Sequence, residues 1–334
     1  MYGVMMNRLF DLLRGTQPVA GSGARPKQRE VGKALPCRLQ LEAGRFLPLV
    51  LGLFFLCIYF LVSMARVPVW KDEVSLWKDG LEKSPRKARV HNNYGRALLD
   101  LRDLKKLPEA EAEFREAIRL DPTIIEALNN LACIFVSQRK LQEALDILKK
   151  AVEANPLYFK ARNNMGIVLQ FLGRLDEARA VHRSILRDNP RYAPAYFSLG
   201  VISAGTDHIK EAQEYLSQVL IYEPNHAGVH HLMAVLYLRN RDWDNAEKEL
   251  KEALSLKPDY ADARVELGNL YLSRGEVGRA ISEYEKALPS LPEEIKGRNN
   301  LGLAYLRDGR FDEAERIFND ILRRAPEYSP AHEN

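Results

Sequence analysis

Pro122, Pro156, Pro190, Pro224, Pro258, Pro292 and Pro326 stand 34 residues apart, six intervals in succession. A fixed period of this length marks one small supersecondary unit copied along the chain. No single copy can bury its own apolar side, so the units must stack into a quasi-linear array with a shared core. The 334 residues are therefore not read as the two globular domains their number would otherwise suggest. Pro85 precedes Pro122 by 37, which puts three extra residues in the first unit, in the turn LRDLKKL.

Other positions keep the same register. Ten residues after each proline, where two helices cross most closely, stand Gly95, Ala132, Gly166, Gly200, Ala234, Gly268 and Gly302. Twelve residues before each closing proline stand Ala110, Ala144, Ala178, Ala212, Ala246, Ala280 and Ala314. Four residues further on come Phe114, Leu148, His182, Leu216, Leu250, Tyr284 and Phe318, large side chains that fill the hole at a helix crossing. Gly173, Gly275 and Gly309 fall where a first helix must end in a left-handed residue.

These residues resemble the tetratricopeptide (TPR) signature, in which a Gly or Ala, an Ala, an aromatic and a Pro recur through a helix-turn-helix of 34 residues. The resemblance spans Ala88 to Tyr328. It implies an all-α fold: a right-handed α-solenoid of about seven repeats, at 88–124, 125–158, 159–192, 193–226, 227–260, 261–294 and 295–328, with a concave groove lined by the first helices. Residues 66–87 form a linker and one unpaired helix, WKDEVSLWKDGLEKSP, with Trp77 and Gly80 in the large and small packing positions. Residues 329–334 are a C-terminal tail, with no polar capping helix after the last repeat.

Ahead of the repeats, Phe46 to Ala65 is a run of twenty residues without charge, FLPLVLGLFFLCIYFLVSMA, bounded by Arg45 and Arg66. Twenty helical residues rise about 30 Å, the thickness of a bilayer's hydrocarbon core, so a single transmembrane helix over 46–65 is expected. A cleaved signal peptide competes, because Ser63 and Ala65 form a small-x-small pair. The run is longer than a signal core and starts late, which favours the anchor. Five Lys or Arg precede the span within twenty residues and four follow it, a slight bias to a cytoplasmic N-terminus. Residues 1–45, which include GTQPVAGSGARPKQRE, are expected to be largely disordered.

The net charge of +4 and pI near 8.8 suggest a polyanionic partner until the charges are located. Residues 1–45 hold eight Lys or Arg and three Asp or Glu, net +5, which leaves −1 for everything after the apolar run. Anionic lipid beside the span is the counter-charge this predicts, and nucleic acid is excluded as a partner. No phosphate-binding glycine loop, zinc-protease helix or nucleophile elbow occurs, so no catalytic residue and no cofactor is assigned. Cys37, Cys57 and Cys133 have neither disulfide nor zinc spacing, and Cys133 falls at a helical, packed position. His226, His230 and His231 place two imidazoles on one helical face. The repeat register gives His226 and His230 structural slots and leaves His231 without one, and no metal is assigned.

The candidate binding residues are an asparagine row. Eight residues after their prolines lie Asn93, Asn130, Asn164 and Asn300, each preceded by a second amide, Asn92, Asn129, Asn163 and Asn299; Ser198, Leu232 and Glu266 interrupt the row. An amide both donates and accepts, so such a row can hold the backbone of an extended peptide in the groove whatever its sequence. Equally, asparagine is common here in TPR repeats for structural reasons. Arg89, Arg96 and Lys160 add carboxylate-binding capacity in the same groove.

Finally, RVPVWKDEVSLWKDGLEKSPRKARVHNNYG resembles the junction between the last membrane helix and the repeats of TMTC-type proteins and of bacterial membrane glycosyltransferases with TPR tails. That resemblance implies repeats outside the cytoplasm, in a periplasm or lumen. Their multi-helix catalytic core has no counterpart here. The expected function is a membrane-anchored scaffold that binds proteins or peptides, with a client-recruiting subunit of a polytopic O-mannosyltransferase-like enzyme as the alternative.

Overall fold

A computed structural model describes residues 51–64, 67–290, 295–328 and 330. It divides into two units, Met1–Pro68 and Val69–Asn334. In the first unit the described residues 51–64 are helical (α1), and every side chain from Leu51 to Met64 is exposed. Among the described residues no helix is long and apolar enough to cross a membrane. The transmembrane helix expected over 46–65 is therefore not shown: residues 51–64 of that run are helical, and 46–50 and Ala65 lie outside the described residues. So do the expected tail 1–45, Pro292 and all but Pro330 of 329–334.

The second unit begins its α-helices with α2 (Glu73–Lys83), then runs through seven helical hairpins. These are α3 (Ala88–Asp100) with α4 (Leu107–Leu120), α5 (Ile125–Ser137) with α6 (Leu141–Ala154), α7 (Phe159–Phe171) with α8 (Leu175–Asp188), and α9 (Ala193–Gly205) with α10 (Ile209–Tyr222). They continue as α11 (Ala227–Arg239) with α12 (Trp243–Leu256), α13 (Ala261–Ser273) with α14 (Val277–Ala287), and α15 (Ile295–Arg307) with α16 (Phe311–Arg324). The described residues contain no strand. In the first hairpin a 3₁₀ turn, Leu104–Lys106, takes up the three extra residues before α4.

The periodic residues build this geometry directly. Proline disfavours the helical conformation in the residue before it, and Asp121 and Asn155 are accordingly non-helical, with φ of −142° and −149°. Their side chains then cap the turn: Asp121 Oδ1 accepts from the Thr123 N–H and Asn155 Oδ1 from the Leu157 N–H, both at 2.9 Å. The first helices end in a left-handed residue. Glycine supplies it at Gly173, Gly275 and Gly309, with φ of +75°, +79° and +79°. Arg102, Arg139, Asp207 and Arg241 take the same conformation in the other four hairpins, at φ between 54° and 63°.

At the helix crossing, volume is shared between two positions. A Cβ built on Gly95 would come 2.9 Å from Phe114, on Gly268 2.7 Å from Tyr284, and on Gly302 2.7 Å from Phe318. The ring therefore occupies the space an alanine methyl would need. Where the small residue is alanine, Ala132 and Ala234, the large partner is a leucine, Leu148 and Leu250, and all four are buried. The same accounting fixes His182, which is fully buried against Gly166. The buried side chains form clusters that follow one another along the array, from Tyr94 to Ile202, Ala193 to Leu236 and Ala234 to Ile321. Ahead of the first hairpin, α2 is capped by Asp72 and lays Val74, Trp77 and Leu81 on the first of these clusters.

Candidate functional site

Counting from each repeat's proline, the fourth, eighth and eleventh residues of successive first helices lie along one face. Over the first three repeats this face encloses a cavity of about 780 Å³. Arg89, Glu126 and Lys160 come from the fourth position, Asn93 and Asn130 from the eighth, and Arg96 from the eleventh; Asn92, Trp77 of α2 and Tyr158 also line it. Six of the residues expected in the groove are thus brought together. Among the described residues neither Arg89 nor Lys160 makes an ion pair, and Arg96 makes only a distant one, 3.9 Å from Glu73. Asp121 on the rim is held below the usual carboxylate range by the hydroxyl and N–H of Thr123, and burial raises the Tyr158 phenol. The cavity therefore presents exposed cations and amides beside a tryptophan and a tyrosine, a surface suited to carboxylates and peptide groups.

Trp77, Glu126 and Tyr158 were not among the expected site residues. Glu126 shares the register of Arg89 and Lys160, a signal the sequence carries. Trp77 and Tyr158 reach the cavity from an unpaired helix and an inter-repeat turn, which periodicity does not foresee.

The asparagine row is divided in its use. Asn92, Asn129, Asn163 and Asn299 are buried, at 7%, 1%, 7% and 6% exposure. They sit low in the seam between repeats, where Asn92 forms part of the cavity lining. Asn164 Nδ2 donates to Asn129 Oδ1 at 2.8 Å, and Asn130 Nδ2 approaches Asn92 Oδ1 at 3.5 Å. In the last repeat Asn300 Nδ2 donates at 2.8 Å to Asn269 Oδ1, which also accepts from the Tyr284 hydroxyl. These amides join neighbouring repeats. Asn93, at the head of the row, has no earlier repeat to bond and, among the described residues, its side chain only accepts from Asn92 at 3.3 Å.

The histidines are structural. His230 bonds Glu249 at 2.6 Å and the Pro224 carbonyl at 3.4 Å, as His91 bonds Glu113 at 2.6 Å and the Pro85 carbonyl at 2.9 Å. Arg162 and Arg264 occupy the same slot with Asp188 and Glu283, each also bonding its own repeat's proline carbonyl. His226 caps α11 through the Val229 N–H. His231 does have a slot: it replaces the buried asparagine, with its Nδ1 3.1 Å from the Tyr260 hydroxyl. Among the described residues no group of three ligating side chains could hold a metal. Cys133 corrects an expectation: it is helical but exposed, because the eleventh position faces the groove.

Tetratricopeptide-repeat family models match the chain, one at residues 74–123, 100–159, 231–295 and 296–331, another at 135–202 and 204–252. The chain belongs to the tetratricopeptide-repeat family, whose members are generally non-enzymatic scaffolds that bind proteins or peptides. No curated protein matches it. Among solved structures, the APC/C hetero-tetramer Cut9-Hcn1 is 20% identical with a TM-score of 0.62, over 70% of this chain and 46% of that one. This chain thus spans less than half of that relative's length. PilF of Pseudomonas aeruginosa is 17% identical, with a TM-score of 0.58 over 63% of this chain and 95% of its own. PilW, described as a widely conserved type IV pilus biogenesis factor, gives 17% and 0.57 over 63% and 97%. At these identities the likeness is one of fold.

Proposed function

We propose that the chain is a membrane-anchored scaffold that holds an extended segment of a client protein in the groove over repeats 1 to 3. The carrying observation is the cavity whose wall places Arg89 and Lys160, both exposed and without ion pairs among the described residues, beside Asn93 and Asn130. Cations left unpaired in a concave surface are free to meet carboxylates, and the amides to meet backbone groups. Peptide-array binding by the full chain tests this. Arg89→Glu with Lys160→Glu should cut retention of acidic peptides at least tenfold with an unchanged melting temperature; unaltered retention would sink the reading.

The anchor is the uncharged run 46–65. Support comes from the helical 51–64, whose fourteen residues are all exposed and carry no charge. A helix of that surface is stable in lipid and unfavourable in water. The repeats are placed outside the cytoplasm, in keeping with the junction's resemblance. Cys133 is a native reporter for this. With Cys37 and Cys57 changed to Ser, an impermeant maleimide applied from the cytoplasmic face should not reach it; labelling from that face would reverse the topology. Recruitment of clients to a polytopic glycosyltransferase would use the same groove. Mass spectrometry of complexes captured through the membrane-bound chain removes that refinement if no such enzyme co-purifies.

A further inference from the structure

The wall that forms the cavity continues past it, and its charge changes along the way. Asn164 Nδ2 approaches Cys133 Sγ at 3.7 Å, an eighth-position amide over an eleventh-position residue of the repeat before. Asn300 over Asn269 repeats that relation between repeats 7 and 6. The two ends of the array therefore present the same face. On it, the fourth, eighth and eleventh positions of repeats 1 to 3 hold Arg89, Arg96 and Lys160 against one acid, Glu126, net +2. Repeats 4 and 5 hold no charge there, and present Val201, Leu232 and Val235, all half-buried. Repeat 6 holds Asp262 and Glu266, net −2.

The acidic pair is not neutralised from within. Asp262 is exposed and has no ion pair among the described residues, and Glu266 accepts only a long bond, 3.4 Å, from Asn269 Nδ2. Acids on the second helices behave differently: Glu247 meets Arg274 and Glu283 meets Arg264. His231 is held toward its neutral form by burial, which outweighs the pull of both carboxylates, so it does not supply the missing cation near pH 7. Lys296 opens the wall of repeat 7 as a single further cation.

We infer that the groove selects an extended peptide of fixed charge order: acidic over repeats 1 to 3, uncharged and apolar over repeats 4 and 5, and a lysine or arginine side chain over Asp262 and Glu266. This rests on the groove being the client site and extends it to a second, cation-selective subsite. Charge order along a groove fixes register as well as affinity, because a shifted peptide sets like charges together. Adjacent first helices lie about 10 Å apart, so five steps cover about 50 Å, or about 15 extended residues.

The test uses the full chain in nanodiscs and a fluorescent peptide of about 20 residues carrying acidic, apolar and basic blocks in that order. Replacing its basic block with glutamine should weaken binding about fivefold at low salt, as two exposed ion pairs are lost. The same replacement should have no effect on the Asp262→Asn, Glu266→Gln chain. Equal losses in both chains, or none in either, would overturn the subsite. If Arg89→Glu with Lys160→Glu still weakens the acidic block in that case, the groove stands and only the charge order falls. If neither pair of substitutions changes binding, both readings fall together.

Discussion

Asn164 and Asn129 are joined between adjacent repeats by a 2.8 Å hydrogen bond, whereas the equivalent buried carbonyl one repeat later, Asn163 Oδ1, has no partner among the described residues. The difference lies at residue 198, where serine stands in the slot that Asn130 and Asn164 fill earlier. Asn164→Ala should strand Asn129 Oδ1 in a site that is 1% exposed and cost about 1 to 2 kcal/mol. Asn163→Ala should cost less than Asn129→Ala, since its oxygen makes no bond to lose. Asn93→Ala should leave stability within about 0.5 kcal/mol and act on binding alone. Urea unfolding of the four variants orders them; an Asn93 loss as large as that of Asn164 would contradict this division.

His182, alone among the large residues at the helix crossings, is a buried imidazole with no hydrogen-bond partner on either ring nitrogen among the described residues. Burial lowers its pKa from 6.5 to about 4. Between those values the unfolded chain takes up a proton that the native state refuses. Stability is therefore complete above pH 6.5 and is lost as pH falls toward 4, by about 3 kcal/mol if this group acts alone. His182→Phe, which copies the pairing of Phe114 with Gly95, should raise the unfolding midpoint at pH 7 and flatten the decline between pH 6.5 and 4. Persistence of the full acid loss in that variant would assign it to other groups.

What the sequence made legible were the constraints confined to one hairpin. Proline spacing, the Gly or Ala at a crossing and its large partner are volume and backbone requirements, met by residues at fixed separations, so period alone exposes them. The seam between repeats is different. Asn129 and Asn130 are adjacent in sequence but about 100° apart around a helix, so one is buried in the seam while the next turns toward the groove. Reading both as groove residues missed that rotation. His231 looked unassigned for the same reason, because its slot is defined by a neighbouring repeat's Tyr260. Trp77 joins the cavity from outside the period altogether.

The crossing pairs can be tested by exchange. Gly268→Ala would place a methyl 2.7 Å from the Tyr284 ring and should cost about 1 to 3 kcal/mol. Adding Tyr284→Leu recreates the pairing of Ala132 with Leu148 and should recover part of that loss. A double-mutant cycle should then show coupling of about 1 kcal/mol or more, while additive effects would mean the two side chains do not share the space.

The seven left-handed helix ends offer a comparison within one molecule. Glycine meets the conformation at Gly275 without steric cost, whereas Arg139 and Arg241 hold φ of 63° and 57° against their own Cβ atoms. For an L side chain that conformation costs about 1 to 2 kcal/mol, partly offset because arginine restricts the unfolded chain more than glycine does. Arg139→Gly and Arg241→Gly should each raise the melting temperature, and Gly275→Ala should lower it by a similar amount. The gains should add, since the two sites lie three repeats apart and share no partner. If both arginine replacements destabilised instead, the Lys140 and Asp242 N–H bonds back to Phe135 and Tyr237 would have to depend on the arginine side chains and not on the backbone turn alone.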